Sequence, residues 1–339
     1  MRARGVARQH YPACAVIGLF LCVSLPSSSR AQLKRFEYSA DAMGGAFSLV
    51  LYGADRPTAD AAAAAAFSEL SRLERMLSNY RPESEWSRVN RQASGQAVEV
   101  SPEMFDLLSA CFEYSRKSEG AFDITVGPLM KAWEYRDGKG RLPEEAAIRG
   151  AMDSVGYRKL LLDPANRTIR FARAGVEIDP GGIGKGYAVD RMIEVLKRSG
   201  IERALVSAAG SSIYALGAPP GEEGWRVGIR SPGKAEGDAG HILLRDASIS
   251  TSGNSEKYFR AGGKRYGHIF DPRTGYPTRG VLLVSVAAPR TIDSEAWTKA
   301  FFVNGRQWSE GHIPPGFRVF FCDEQAGHPV CTWLAGENR

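Results

Sequence analysis

The sequence predicts an α+β fold of mixed β-sheets with helices packed against them. Three observations lead there. Amphipathic helical stretches alternate with short apolar runs that read as strands. Several neighbouring runs are joined by turn residues alone, too few for a crossover helix, and so read as antiparallel hairpins. The 339 residues are 43% apolar, enough for a large core in one domain or in two intimately joined ones.

The elements follow in order. A first strand, 47–53, comes after the Met43-Gly44-Gly45 turn. Residues 58–78 read as a helix with Phe67, Leu70, Leu73 and Leu77 on one stripe. The polar segment LSNYRPESEWSRVN (77–90) reads as a loop leaving that helix. A second helix opens at Ser101-Pro102-Glu103, carries Phe105, Leu108, Cys111 and Phe112, and ends near Gly120. Strands at 159–163 and 167–172 flank the turn Asp163-Pro164-Ala165-Asn166. After a glycine cluster comes a helix with Val189, Met192, Ile193 and Leu196 at spacings of three and four. Further strands read at 203–207, 212–216, 225–230, 241–244 and 281–287, and a final helix over 293–303. Ala61 to Ala66 is a helix-forming patch, and no tandem repeat is visible.

The amino terminus reads as an address. Arginines at 2, 4 and 8 precede an apolar run from Ala13 to Leu25, and Ser29-Arg30-Ala31 closes it as a small-x-small cleavage pattern. The expectation is a signal peptide over 1–31, a mature domain over 32–339 and export to the periplasm; an uncleaved anchor in the inner membrane is the alternative. Removing Arg2, Arg4, Arg8 and Arg30 from the formal +6 leaves +2, so no basic surface for nucleic acid is indicated. Cys14 and Cys22 lie in that segment. Cys322 and Cys331 bracket DEQAGHPV between two strand-like runs; a hairpin would let them form a disulfide, and free buried thiols are the other reading. Cys111 reads as core.

Five segments carry candidate chemistry. EIDPGGIGKGYAVD (177–190) places Gly181, Gly182, Gly184 and Gly186 between a short strand and a helix, where backbone N–H groups can approach a phosphate and Lys185 adds charge. It matches neither the P-loop nor the dinucleotide fingerprint, and a structural glycine turn is the competing reading. In LSNYRPESEWSRVN, Tyr80 beside small polar groups suits stacking on a flat heterocycle, or is a half-buried tyrosine in an ordinary loop. In GAFDITVGPLMKAW (120–133), Asp123 lies in an apolar stretch and must find donors, from backbone amides or from a ligand. ISTSGNSEKYF (249–259) and YGHIFDPRTGYPT (266–278) bring a Ser/Gly-rich loop, His268 as a candidate base and the turn Asp271 to Gly275. No nucleophile elbow supports a serine hydrolase built on Ser252, His268 and Asp271, and the histidines lack zinc-ligand spacing. Finally, Glu295 and Lys299 share a helix face four residues apart in TIDSEAWTKAFFVNG (291–305), by themselves an ion pair like many others.

In this order, LSNYRPESEWSRVN, GAFDITVGPLMKAW, DPGGIGKGYAVD, STSGN and HIFDPRTG resemble the ApbE family of FAD:protein FMN transferases, over Met43 through Gly305. The resemblance implies FAD as substrate and a Mg²⁺-dependent transfer of its FMN half to a Ser or Thr hydroxyl of a target flavoprotein, with release of AMP. It also implies a periplasmic location; an acceptor in the inner membrane would bring the enzyme to that surface. By position, Met43, Tyr80, Ala121, Phe122, Asp123, Gly181, Lys185 and Ile269 would line the FAD site and His268 would take the acceptor's proton.

The metal positions of the resemblance fall on Gly184, Glu295 and Lys299, where the family has an Ala carbonyl, an Asp and a Thr. A protonated lysine cannot ligate, so its ammonium is expected at or beside the metal position with Glu295 as partner. Gly45 stands where threonine is common, and SAAGSSIYALG (207–217) lacks the usual double glycine. Hydrolysis of FAD to FMN and AMP, or FAD binding without catalysis, are the alternative functions.

Overall fold

The computed structural model describes residues 33–334 apart from 136–139, 233–236, 255–257 and 327. The expected signal segment 1–31, with Cys14 and Cys22, lies outside the described residues.

A hairpin of β1 (Lys34–Ala42) and β2 (Gly45–Gly53) leads to α1 (Arg56–Leu77), α2 (Glu85–Gln92) and the short β3 (Val98–Glu99). Then come α3 (Pro102–Lys117), α4 (Gly127–Ala132), α5 (Glu145–Met152), β4 (Leu160–Asp163) and β5 (Thr168–Phe171). After α6 (Gly184–Arg198) follow β6 (Ala204–Ala208), β7 (Ser212–Leu216), β8 (Trp225–Arg230), β9 (Asp238–Leu244) and β10 (Ala247–Gly253). The chain continues through β11 (Tyr258–Ala261), β12 (Lys264–Gly267), β13 (Val281–Ala288), α7 (Thr291–Glu310), β14 (Arg318–Gln325) and β15 (His328–Leu334).

Eight strands form one sheet in the order β1-β2-β6-β7-β10-β13-β14-β15, and every pairing among the described strands is antiparallel. One face of it carries helices. Phe47, Leu49 and Leu51 of β2 meet Ala59, Ala62, Ala63, Ala66, Leu70 and Leu73 of α1 and Val189, Met192 and Leu196 of α6. The alanines let α1 lie close, while Asp55 caps it by accepting from the Thr58 N–H at 2.8 Å. Val284 and Val286 of β13 meet Phe301 and Phe302 of α7 in a second cluster that also takes in α2 and α3. The other face is covered by the β8–β9 ribbon, through Trp225, Val227, Ile229, Ile242 and Leu244. The α+β class read from the sequence is the architecture found.

Two parts of the sequence reading are corrected. β1 went unread because only Phe36 and Ala42 of its nine residues are buried, as suits a sheet edge. Residues 85–92 of the expected loop are helix α2: Ser84 caps it by accepting from the Ser87 N–H at 2.9 Å. Trp86 is fully buried there and donates to the Ile178 carbonyl at 3.0 Å. Trp86 and Val89 are the only apolar residues of α2, too short a stripe to register as helical.

Cys322 and Cys331 face each other in the β14–β15 ladder and are joined as a disulfide, with Cα atoms 4.1 Å apart. Of the two possibilities the sequence left open, the bond is the one present. Cys111 is a buried free thiol, its pKa pushed up by desolvation.

Candidate active site

The site is built where the start of α6 meets α7 and the segment after α3. Asp179 opens the glycine cluster, its Oδ1 accepting from the Gly181 N–H at 2.8 Å and its Oδ2 from Asn79 Nδ2 at 2.7 Å. The loop 78–84 is thereby tied to the glycine turn. The amide oxygen of Asn79 is buried without a donor among the described residues. Tyr80, next along, has 75% of its surface exposed.

Gly186 is a spatial requirement, whereas a side chain at Gly182 would make only ordinary contacts. A Cβ on Gly182 would stand 3.5 Å from the Phe122 ring and 4.0 Å from the Lys299 stem. A Cβ on Gly186 would stand 2.6 Å from the Thr291 carbonyl oxygen and 2.7 Å from Glu295 Oε2, closer than atoms can pack. Only glycine lets α6 approach α7 this closely. The approach lets the Gly186 N–H donate to Glu295 Oε2.

Glu295 is buried, 1% exposed, and its other oxygen lies 3.7 Å from Lys299 Nζ. Lys299 is 23% exposed. Burial pulls its pKa below the ordinary lysine value; Glu295 opposes that shift and Lys185 adds to it.

Asp123 proves to be a structural cap. It is buried, accepts from the Thr125 N–H and hydroxyl, both at 2.7 Å, and from the Tyr157 N–H at 2.6 Å. The donors it needs come from the Thr125 and Tyr157 amides and the Thr125 hydroxyl. Desolvation raises its pKa to about 6 against these hydrogen bonds. Ala121 and Phe122 are buried beside it, and Phe122 shares a cluster with Ile183, Ile269 and Ala296. Met43 packs against the same cluster, and its N–H donates to Glu74 at 2.7 Å.

The residues 268–278 fold back on themselves. The Asp271 carbonyl accepts from the Gly275 N–H at 2.9 Å, and the Ile269 carbonyl accepts from the Thr278 N–H at 2.9 Å. Arg273 binds Asp271 and reaches Asn304 Oδ1 at 2.7 Å, and its stem passes within 4.0 Å of where a Gly120 Cβ would be. The HIFDPRTG segment therefore abuts the GAFD segment. His268, half-buried, stands one residue beyond β12 rather than inside a strand. The side-chain amide of Asn254 presses on Gly267, leaving no room there for a Cβ.

The serine-hydrolase arrangement is not formed. The Ser252 hydroxyl donates to Thr298 Oγ1 at 2.8 Å, and Asp271 is engaged by Arg273. Nor do the metal positions that the resemblance implies suit Mg²⁺, which requires several hard oxygen ligands. One Glu295 oxygen is taken by an amide and the other faces an ammonium. Gly184 brings only a backbone carbonyl, and the third position holds the Lys299 ammonium in place of a hydroxyl oxygen.

The sequence reading does not single out Asp179. It lies inside a quoted motif, but its role depends on a contact with Asn79, a hundred residues away. Two departures from the family pattern also prove to be one. A Cβ on Gly45 would stand 2.8 Å from the Ala209 Cβ, so the side chain absent at 45 makes room for the one present at 209.

Fold and site together define an α+β protein whose glycine-lined helix start, flanked by Lys185 and Lys299, suits an anionic ligand. The chain belongs to the ApbE family, whose model matches residues 43–313. Among its relatives are the FAD:protein FMN transferases of Klebsiella pneumoniae (strain 342), 32% identical over 79% of this chain and 82% of the relative, and of Treponema pallidum (strain Nichols), 33% identical over 86% of each. The ApbE protein of Thermotoga maritima MSB8 superposes with a TM-score of 0.80 at 29% identity, covering 88% of this chain and 96% of that one. The apo flavinyl transferase ApbE of Pseudomonas stutzeri gives 0.80 at 27% identity, covering 90% and 96%.

Proposed function

We propose that this protein is an FAD:protein FMN transferase. The observation that carries the reading is the convergence of the glycine cluster, Phe122, Glu295 and Lys299 at one helix start, in a chain of the ApbE family. A pyrophosphate suits that place, because backbone N–H groups and two ammoniums meet its charge. Tyr80, largely exposed in the loop that Asn79 ties to the glycine turn, would stack on a flat ring. Met43, Ala121, Phe122 and Ile269 supply apolar wall, and Asp123 holds that wall in shape.

In the reaction the acceptor's Ser or Thr oxygen forms a bond to the FMN phosphorus. The bond from that phosphorus to the bridging oxygen breaks, its electron pair leaves with AMP, and His268 takes the hydroxyl proton. Such chemistry depends on positioning and charge neutralisation more than on covalent help from the protein. No step is assigned to Mg²⁺, since the donor set does not fit it. The target flavoprotein is the partner. Export to the periplasm is supported by the charge and apolar pattern of 1–31 and by the Cys322–Cys331 disulfide. Among the described residues no helix is long and apolar enough to cross a membrane.

The test is incubation of the mature protein with FAD and a flavoprotein acceptor, with and without Mg²⁺. AMP together with covalently flavinylated acceptor is the expected result. AMP with free FMN would make the protein a hydrolase, and retained FAD without AMP would make it a binding protein.

A further inference from the structure

We propose that Lys299 is a resident cation of this site, its ammonium facing the FAD pyrophosphate so that the reaction needs no divalent metal. This rests on the transferase reading above.

The geometry supports the role in three ways. The Glu295–Lys299 pair is built into the α6–α7 contact: one carboxylate oxygen is fixed by the Gly186 N–H, and the other faces the ammonium at 3.7 Å. A surface i,i+4 pair has both partners in water and contributes little. Here the carboxylate is 1% exposed and the lysine side chain 23% exposed, so both partners are largely withdrawn from water and the acid is the deeper of the two. A buried carboxylate kept only for packing is costly, and apolar replacements of the same volume serve as well or better. Second, the Lys299 Cγ would lie 4.0 Å from a Cβ on Gly182, so the lysine stem leaves α7 alongside the glycine cluster. Third, Lys185 is close enough to act on Lys299 electrostatically. With the Asp179 carboxylate tied into the glycine turn by Gly181 and Asn79, Lys185 and Lys299 supply the ammoniums that an anionic ligand would meet.

The consequence for the transfer step is specific. As the bond between the FMN phosphorus and the bridging oxygen breaks, the electron pair moves onto the AMP phosphate. Lys299 would meet that charge as a point cation with three donors. It would contribute most as the leaving phosphate gains its charge.

The experiment compares wild type, Lys299→Thr, Lys299→Met and Lys299→Arg, each in EDTA and in excess Mg²⁺. It reads FAD affinity by flavin fluorescence, AMP release, and Tm with and without Mg²⁺. Wild type is expected to release AMP in EDTA within about threefold of its rate in Mg²⁺, and K299R to keep that metal independence. K299M should lose about tenfold or more in FAD affinity and AMP release in both conditions. K299T should lose as much in EDTA but regain it with Mg²⁺, and Mg²⁺ should raise its Tm while leaving that of wild type unchanged. Should K299M fail to fold, K299T against K299R still decides the matter.

Wild-type AMP release that collapses in EDTA and returns with Mg²⁺ overturns the proposal while leaving the transferase reading intact. So does a K299T variant with wild-type metal response. If no variant cleaves FAD under any condition, yet wild type binds it in EDTA and K299M does not, the transferase reading fails and the resident cation stands.

Discussion

At the scale of single residues, burial decides between support and contact with ligand. Asp123 and Tyr80, both expected at the FAD site, differ in burial: Asp123 is buried and Tyr80 exposed. Asp123 spends its oxygens on Thr125 and Tyr157, so Asp123→Ala should cost about 2–4 kcal/mol of stability in urea unfolding, through amides left without an acceptor. Its pKa is about 6 when folded against an ordinary 3.8, so the folded state binds more protons than the unfolded state between those values. Stability from this group is therefore fully present below pH 4 and is lost as pH rises through 6, by at most about 1.4 kcal/mol per pH unit. The stability gap between wild type and Asp123→Asn should then be wider at pH 4.5 than at pH 7. Tyr80 is the opposite case. With its ring 75% exposed, Tyr80→Ala should leave Tm nearly unchanged yet weaken FAD binding by about tenfold, the scale of a lost aromatic stack. A calorimetric titration with FAD checks it.

At the scale of elements, close approach governs what the chain tolerates. The β1–β2 turn places Met43 and Gly44 at φ of 50° and 74°, and the turn after β6 places Ala209 and Gly210 at 51° and 67°. These turns touch, because the Ala209 N–H donates to the Ala46 carbonyl at 2.8 Å. Gly45→Thr would drive a Cβ into Ala209 and should cost about 1–3 kcal/mol. Ala209→Gly removes the obstructing methyl and the left-handed alanine together. In a double-mutant cycle read by denaturation, the pair should therefore be more stable than the sum of the singles by about 1 kcal/mol or more. The same reasoning applies where α6 crosses α7. Gly186→Ala should unfold more readily and also displace Glu295, so its loss of FAD affinity should exceed what its altered stability accounts for.

At the scale of the whole molecule, the sheet runs from one exposed edge strand, β1, to another, β15, and the disulfide fastens the second of these. Cys322 and Cys331 are nine residues apart, and closing so short a loop stabilises by about 2–3 kcal/mol in the chain-entropy account. Reduction, or the paired substitution to serine, should lower Tm by several degrees (~4 °C, the scale for a protein this large). FAD binding should survive, since the hairpin is not among the elements that meet at the start of α6.

Much of this was legible from the chain alone. Helices α1, α3 and α6 declare themselves by apolar stripes, because a helix that buries one face must repeat with its own period. The family resemblance placed Lys185, Lys299 and the glycines in one functional set; the glycine cluster alone left a structural turn as the competing reading, and Glu295 and Lys299 alone read as an ordinary ion pair. The edge strand β1 and the helix around Trp86 stayed illegible, since each buries too few residues to impose a period. Spacing could not say that Asp123 is a cap, that Gly45 and Ala209 share one space, or that the Gly186 amide holds Glu295. Those are distances between residues far apart in the chain. They exist only once helices and sheet have closed on one another, when excluded volume and the need to satisfy each buried polar group fix which atoms meet.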